Sequence, residues 1–259
     1  MVWRNFVAMG DSFTEGLDDP YPDGTFRGWA DLVAARLAVE AGPDFGYANL
    51  AVRGRLLDQV LAEQLPATLA MRPDLVSFAA GGNDVLRRKV DPAGLVAGVD
   101  RAVGELRAAG ADVILFRFAD ITAHLPGQRI VGPRAAALNA GAGEVAARHG
   151  AYLIDLFADE VFRNPAMWSA DRLHLSPAGH RRVAAHVLTT LGVGVDEEWL
   201  LVPPMPAPTP WLLARRADLQ WAGRHLAPWL KRRLVGASSG DLVAPKRPRL
   251  SSIDLPSTG

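Results

Sequence analysis

A serine stands at position 12 inside Gly10-Asp11-Ser12-Phe13-Thr14-Glu15-Gly16, directly after the apolar run Phe6-Val7-Ala8-Met9. Far along the chain, Asp171-Arg172-Leu173-His174 sets a carboxylate three residues ahead of a histidine and just before Ser176-Pro177. These residue types suit nucleophilic catalysis. A serine hydroxyl attacks poorly until a base takes its proton, and the base needs an acid to orient it. If the fold joins the two stretches, one short loop holds Asp171 against Nδ1 of His174 and aims Nε2 at Ser12. Taken alone, Gly-Asp-Ser is equally a turn, since each of its residues favours turns for its own reason.

The elements around these residues give the first test. Phe6–Met9, Tyr47–Val52, Leu75–Ala80, Val113–Phe118 and Tyr152–Phe157 are short apolar runs that read as strands. Between them, helical spacing appears over Trp29–Val39, Leu56–Leu69, Pro92–Ala109 and Pro133–His149. A last helix starts at the Ser176 cap and Pro177 and ends before Gly192. Strands alternating with helices predict an α/β fold, a three-layer α/β/α sandwich with a mostly parallel sheet of about five strands. Such sheets bind ligands beyond the carboxyl ends of their strands. Ser12, Arg53-Gly54 and Gly81-Gly82-Asn83-Asp84 each follow a strand, so all three fall on that edge.

The 259 residues are 49% hydrophobic, enough for one large domain or for a domain with an appendage. Formal charge is zero, so nothing in the global balance points to nucleic acid as a partner. The lack of cysteine excludes disulfides, a thiol nucleophile and thiolate metal sites. No run of about 18 apolar residues spans a membrane, and Asp11 and Ser12 arrive too early for a secretory core. The expected location is cytoplasmic. No cofactor motif is found, and the aspartates at 18, 19 and 23 lack the register of a calcium loop. Asp171, His174 and His180 lack a convincing zinc spacing; no metal is expected.

The organisation changes near the C-terminus. Residues 1–194 read as the catalytic domain and 195–210 as a linker, stiffened by Pro203, Pro204, Pro206, Pro208 and Pro210. Residues 211–235 follow as a basic amphipathic helix, with Trp211, Leu212, Leu219, Leu226, Trp229 and Leu230 on one side. Two readings of that stripe stay open. It docks on the catalytic domain or a sister subunit, or it lies on an anionic membrane surface. Residues 236–259, rich in Ser, Gly, Pro and basic residues, are expected to be disordered.

Four blocks in order, Gly10–Gly16, Asn49–Gly54, Gly81–Asp84 and Asp171–His174, give residues 1 to about 192 a resemblance to the SGNH (GDSL-type) hydrolases. That resemblance implies a flavodoxin-like fold and a carboxylic-ester hydrolase working through an acyl-enzyme on Ser12. It implies Asp171 and His174 as acid and base, and the Ser12 amide, the Gly54 amide and the Asn83 side chain as oxyanion donors. The implied partner is a small acyl ester, with short-chain or O-acetyl groups first. The alternative is a lysophospholipase, thioesterase or acyltransferase brought to lipid by the C-terminal helix. Asp11 and Asp84 are expected to brace loops, and His180 and His186 to be structural. Arg53 departs from the commonest family pattern; facing the cleft, it would favour an anionic or sugar-bearing substrate.

Overall fold

The computed structural model describes residues 2–87, 89–121, 128–207, 210–228, 231 and 238–253. Strands β1 (Asn5–Gly10), β2 (Gly46–Asn49), β3 (Leu75–Ala79), β4 (Asp112–Arg117) and β5 (Tyr152–Asp155) run parallel to one another. A sixth, β6 (Arg247–Ser251), lies antiparallel to β2, and the order across the sheet is β5-β4-β3-β1-β2-β6. The strand count of about five therefore rises by one, and the tail expected to be disordered supplies the addition. Residues 254–259 of that tail lie outside the described residues.

The tail is held by more than strand pairing. Lys246, short of water in its pocket, sends Nζ to the Phe26 and Arg27 carbonyls at 3.0 and 2.6 Å and to Asp31 at 2.8 Å. Composition reports average apolar content, whereas this segment is held by main-chain bonds to an open sheet edge and one buried ion pair.

Side chains of a strand alternate between the faces of a sheet, and β1 shows the consequence. Phe6 and Ala8 join one core with Trp29, Val33, Val183 and Val187, while Val7 and Met9 join the other with Leu57, Val99, Val103 and Val145. All four β1 residues are buried, as expected for a central parallel strand covered twice.

The first face carries α1 (Ser12–Glu15) and α2 (Gly28–Ala41). The second carries a helix that begins as α3 (Leu57–Gln59), passes through a π turn at Val60–Gln64 and continues as α4 (Leu65–Met71). Pro66, which has no N–H to donate, sits where the π turn ends. After α5 (Gly82–Val85), the second face is completed by α6 (Pro92–Ala108) and α7 (Gln128–His149). Helix α7 starts five residues before the expected Pro133, which lies inside the helix, beyond its first turn, where it withholds one helical N–H. The loop expected just before it falls partly at 122–127, outside the described residues.

Helix α8 (Pro177–Leu191) returns to the first face, capped by Ser176 Oγ accepting from the Gly179 amide at 3.2 Å. Beyond the proline-rich segment lies α9 (Trp211–Trp221), continued by a π turn at Ala222–Leu226. Of the helix expected over 211–235, residues 229, 230 and 232–235 lie outside the described residues. Helix α9 docks through Asp218 and Trp221, while Trp211, Leu212, Leu213 and Leu219 stay 54–75% exposed. None of the described helices is long and apolar enough to cross a membrane.

Candidate active site

The end of β1 presents the serine. Gly10 approaches β3 so closely that a Cβ there would lie 2.3 Å from the Ala79 carbonyl oxygen, so no larger residue fits. The buried Gln64 side chain brackets Gly10, accepting from its amide at 2.8 Å and donating to its carbonyl at 2.9 Å. Asp11 then caps α1 by accepting from the Phe13 amide, and Ser12 becomes the first helical residue. Asn49, at the end of β2, donates to the Thr14 carbonyl at 3.0 Å and holds the short helix from its other side. The chemistry of Gln64 and Asn49 is bracing. Nothing in helical or strand periodicity distinguishes a buried amide that binds a distant backbone from one exposed to water.

The other half of the site sits on the loop between β5 and α8. Asp171 accepts on Oδ1 from Ser169 Oγ (2.7 Å) and from the Leu173 and His174 amides (both 2.9 Å), and on Oδ2 meets His174 Nδ1 at 2.5 Å. The fold brings Ser12, Asn83 and His174 onto the wall of one cavity of about 310 Å³. Among the described residues the Ser12 hydroxyl has no hydrogen-bond partner, and neither the Ser12 nor the Gly54 amide donates a bond. Gly54 has φ 74° and lies off that wall, with Ser238 packed against it. Asn83 directs Nδ2 at Asp11 Oδ2 and at the Arg55 carbonyl, both 3.0 Å away, so its two N–H groups are already engaged.

The charges are arranged around the histidine. Burial pulls its pKa down, but the hydrogen bond and charge of Asp171, with Asp18 and Asp11 behind them, outweigh burial and hold it above the ordinary 6.5. Burial alone would raise the Asp171 carboxyl; the His174 ring, then the His174 and Leu173 amides, hold it well below the usual carboxylate range. Asp11 behaves oppositely. Burial, abetted by Asp84 and Glu15 against the Phe13 amide and His174, pushes it up to about 6.

The remaining candidates fall into place by their partners. Asp84 accepts from the Leu57 amide at 3.0 Å, bracing a loop as Asp11 does. His180 bridges the Trp29 amide and the Leu17 carbonyl, and its burial pushes its pKa down to about 4. His186 binds Asp159 at 2.7 Å. Arg53 does not face the cavity. Its guanidinium pairs with the buried Glu15 and lies 5.0 Å from the Phe26 ring centroid, because a buried carboxylate demands a cation. The sugar or anion preference that Arg53 would have suggested is thereby withdrawn.

Among the described residues, Asp18, Asp171 and His174 offer ligand atoms within 4.8 Å of one another. A cation there would have to break the Asp171–His174 bond.

The cavity lining is mainly apolar, with Phe13, Val85, Phe118, Leu138, Phe157 and Leu173. Phe118 is fixed by Asn139, which exchanges two hydrogen bonds with its backbone at 2.8 and 2.9 Å. Phe13 meets Phe116 and Phe118 edge to face, 5.3 and 5.5 Å between centroids, so the wall beside Ser12 is rigid.

Residues 8–182 match the family model of the GDSL-like lipase/acylhydrolase family. Among solved structures, TesA is 33% identical over 72% of this chain and 97% of its own, with TM-score 0.59. The lipase/acylhydrolase from Enterococcus faecalis is 23% identical over 74% of this chain and 98% of its own, TM-score 0.59. The acetylxylan esterase Axe2 from Geobacillus stearothermophilus is 22% identical over 74% and 96%, TM-score 0.60. The last two similarities speak to the fold. None of the curated proteins compared matches the chain. With a family match spanning more than half its length on a six-stranded α/β fold of the same kind, the chain belongs to the GDSL-like lipase/acylhydrolase family and is an esterase.

Proposed function

We propose that the protein hydrolyses carboxylic esters through an acyl-enzyme on Ser12, with His174 as base and Asp171 as its orienter. The observation that carries this reading is the 2.5 Å contact of Asp171 with Nδ1 of His174, which lines the cavity together with the Ser12 hydroxyl, itself without a partner among the described residues. Proton transfer to Nε2 frees the oxygen for attack on the ester carbonyl. The same proton then goes to the leaving alcohol, and His174 next activates a water to release the acid. The Ser12 amide, free among the described residues, suits the developing oxyanion directly, and the Gly54 amide, likewise free there but off the cavity wall, is the more remote second donor. Asn83 serves as a third donor by turning one N–H away from Asp11 or Arg55.

The base works only when neutral. Because its pKa lies above the ordinary value, kcat/KM should fall as pH drops through a point above 6.5, and a pH profile of ester turnover reads that limb directly. A rate constant down to pH of about 4 would require a different base.

The acyl group deserves a longer chain than acetyl. An apolar cavity of about 310 Å³ is larger than two carbons fill, and each buried methylene is worth about 0.8 kcal/mol, roughly a three- to fourfold gain. A p-nitrophenyl ester series from acetate to palmitate should therefore show kcat/KM climbing through butyrate and hexanoate before it levels. A maximum at acetate would return the substrate to O-acetyl groups. A preference continuing to palmitate would favour the second reading, a lipid-directed enzyme, which rests on the outward Trp211, Leu212, Leu213 and Leu219 beside Arg215 and Arg216.

A further inference from the structure

The loop that carries Asp171 and His174 is gripped from outside the family-matched residues 8–182. Trp221 Nε1, at the end of α9, donates to the Asp171 main-chain carbonyl at 3.1 Å. Arg172 Nη1 donates to Asp218 Oδ1 at 2.8 Å, and the same guanidinium lies 4.9 Å from the Trp221 ring centroid. Asp218 and Trp221 are three residues apart and share the half-buried side of the helix. Apart from Trp221, the larger apolar residues of α9 (Trp211, Leu212, Leu213 and Leu219) face away, so this helix is seated chiefly by what it holds on the loop.

Arg172 needs holding. Its φ of 61° puts a long side chain in the left-handed region, which residues other than glycine seldom adopt and which persists where surroundings over-determine it. The loop keeps its own closure, through the Ser169 amide on the His174 carbonyl at 2.8 Å and the Arg172 amide on the Ser169 carbonyl at 3.0 Å. Loss of the α9 contacts would thus leave the loop closed but free to shift.

We propose that Trp221 and Asp218 are positioning residues: they clamp the backbone of Asp171 and the side chain of Arg172, and so set the angle at which His174 faces Ser12. The inference rests on the reading of Asp171 and His174 as acid and base. The charged and titratable groups facing His174 are Asp171 on its own loop, Asp18 at 3.9 Å, Asp11 at the end of β1 and His180 on α8. Trp221→Phe alters no charge and leaves all four in place, so a change in the titration of His174 in that variant reports its geometry; Asp218→Asn also unpairs the Arg172 guanidinium and is read on kcat and KM.

The test uses the full chain with Trp221→Phe, which removes the N–H and keeps a ring, with Asp218→Asn, with both together, and with Asp218→Glu. Each of the first two should lower kcat about two- to tenfold, the loss expected for one hydrogen bond, with KM within about twofold. The acidic limb of the pH profile of Trp221→Phe should move to lower pH, because a loosened Asp171 contact supports the imidazolium less. Asp218→Glu should restore kcat. Wild-type kcat and limb in the double variant would overturn the inference. So would a loss of kcat that tracks melting temperature while the limb of Trp221→Phe stays put. Ser12→Ala and His174→Ala run alongside. If both are inactive, a negative result falls on the positioning role alone; if either is active, the reading of the site falls and the inference with it.

Discussion

Ester turnover should drop by about four to six orders of magnitude in Ser12→Ala, with the melting temperature little changed. The hydroxyl is half-buried on the cavity wall and has no hydrogen-bond partner among the described residues, so its removal leaves no buried group unsatisfied. The helix-opening geometry survives, since it depends on Asp11 accepting from the Phe13 amide and on Gln64 bracketing Gly10. Burst kinetics with p-nitrophenyl butyrate give a second measurement. The native chain should release one equivalent of nitrophenol rapidly and the variant none, whereas turnover within about tenfold of native in the variant would remove Ser12 as the nucleophile.

Asp171→Asn should lower kcat by about 10³- to 10⁴-fold, and the geometry says why a near-isosteric change does so much. Oδ1 accepts from Ser169 Oγ and from two main-chain amides, three donors that only an oxygen satisfies. The asparagine oxygen therefore stays there and its NH₂ takes the place of Oδ2, facing His174 Nδ1. An NH₂ donates, so the ring must leave Nδ1 bare and carry its proton on Nε2. In that tautomer Nε2 cannot accept from Ser12. The variant also loses the charge that holds the His174 pKa up, so its residual activity should show an acidic limb at lower pH than the native limb. A pH profile of the purified variant checks both claims, and a kcat within about tenfold of native would mean that Asp171 does not set the tautomer.

Much of the scaffold was legible in local patterns. Apolar runs such as Phe6–Met9 and Leu75–Ala80 mark strands buried on both faces, because a covered parallel strand has no polar side to show. Ser176-Pro177 and Gly192 mark the ends of α8 through capping chemistry that depends only on neighbouring residues. Less visible were the features whose cause lies far away in the chain. Gln64 belongs to a helical stretch and looks like any surface glutamine, yet it spans 54 residues to reach Gly10. Lys246 and β6 sit in a tail of disordered composition, and their order comes from an exposed edge of β2 and from Asp31. The apolar stripe of α9 suggested which side would dock, but Asp218 and Trp221 found the better partners in Arg172 and the Asp171 carbonyl.

By itself, the sequence determined that strands and helices alternate, that a serine and two glycine-bearing loops follow strand ends, and that an acid–histidine pair comes just before a capped helix, because these depend on propensity and spacing over a few residues. Only the tertiary structure decided which of those groups meet. It set Ser12 beside the cavity with His174, turned Arg53 inward to Glu15, gave Asn83 two prior partners and laid the C-terminal segment across the sheet edge. The reason is physical: a buried charge or amide takes whichever partner satisfies it at hydrogen-bond distance, and in a folded chain that partner is chosen by packing, not by proximity in sequence.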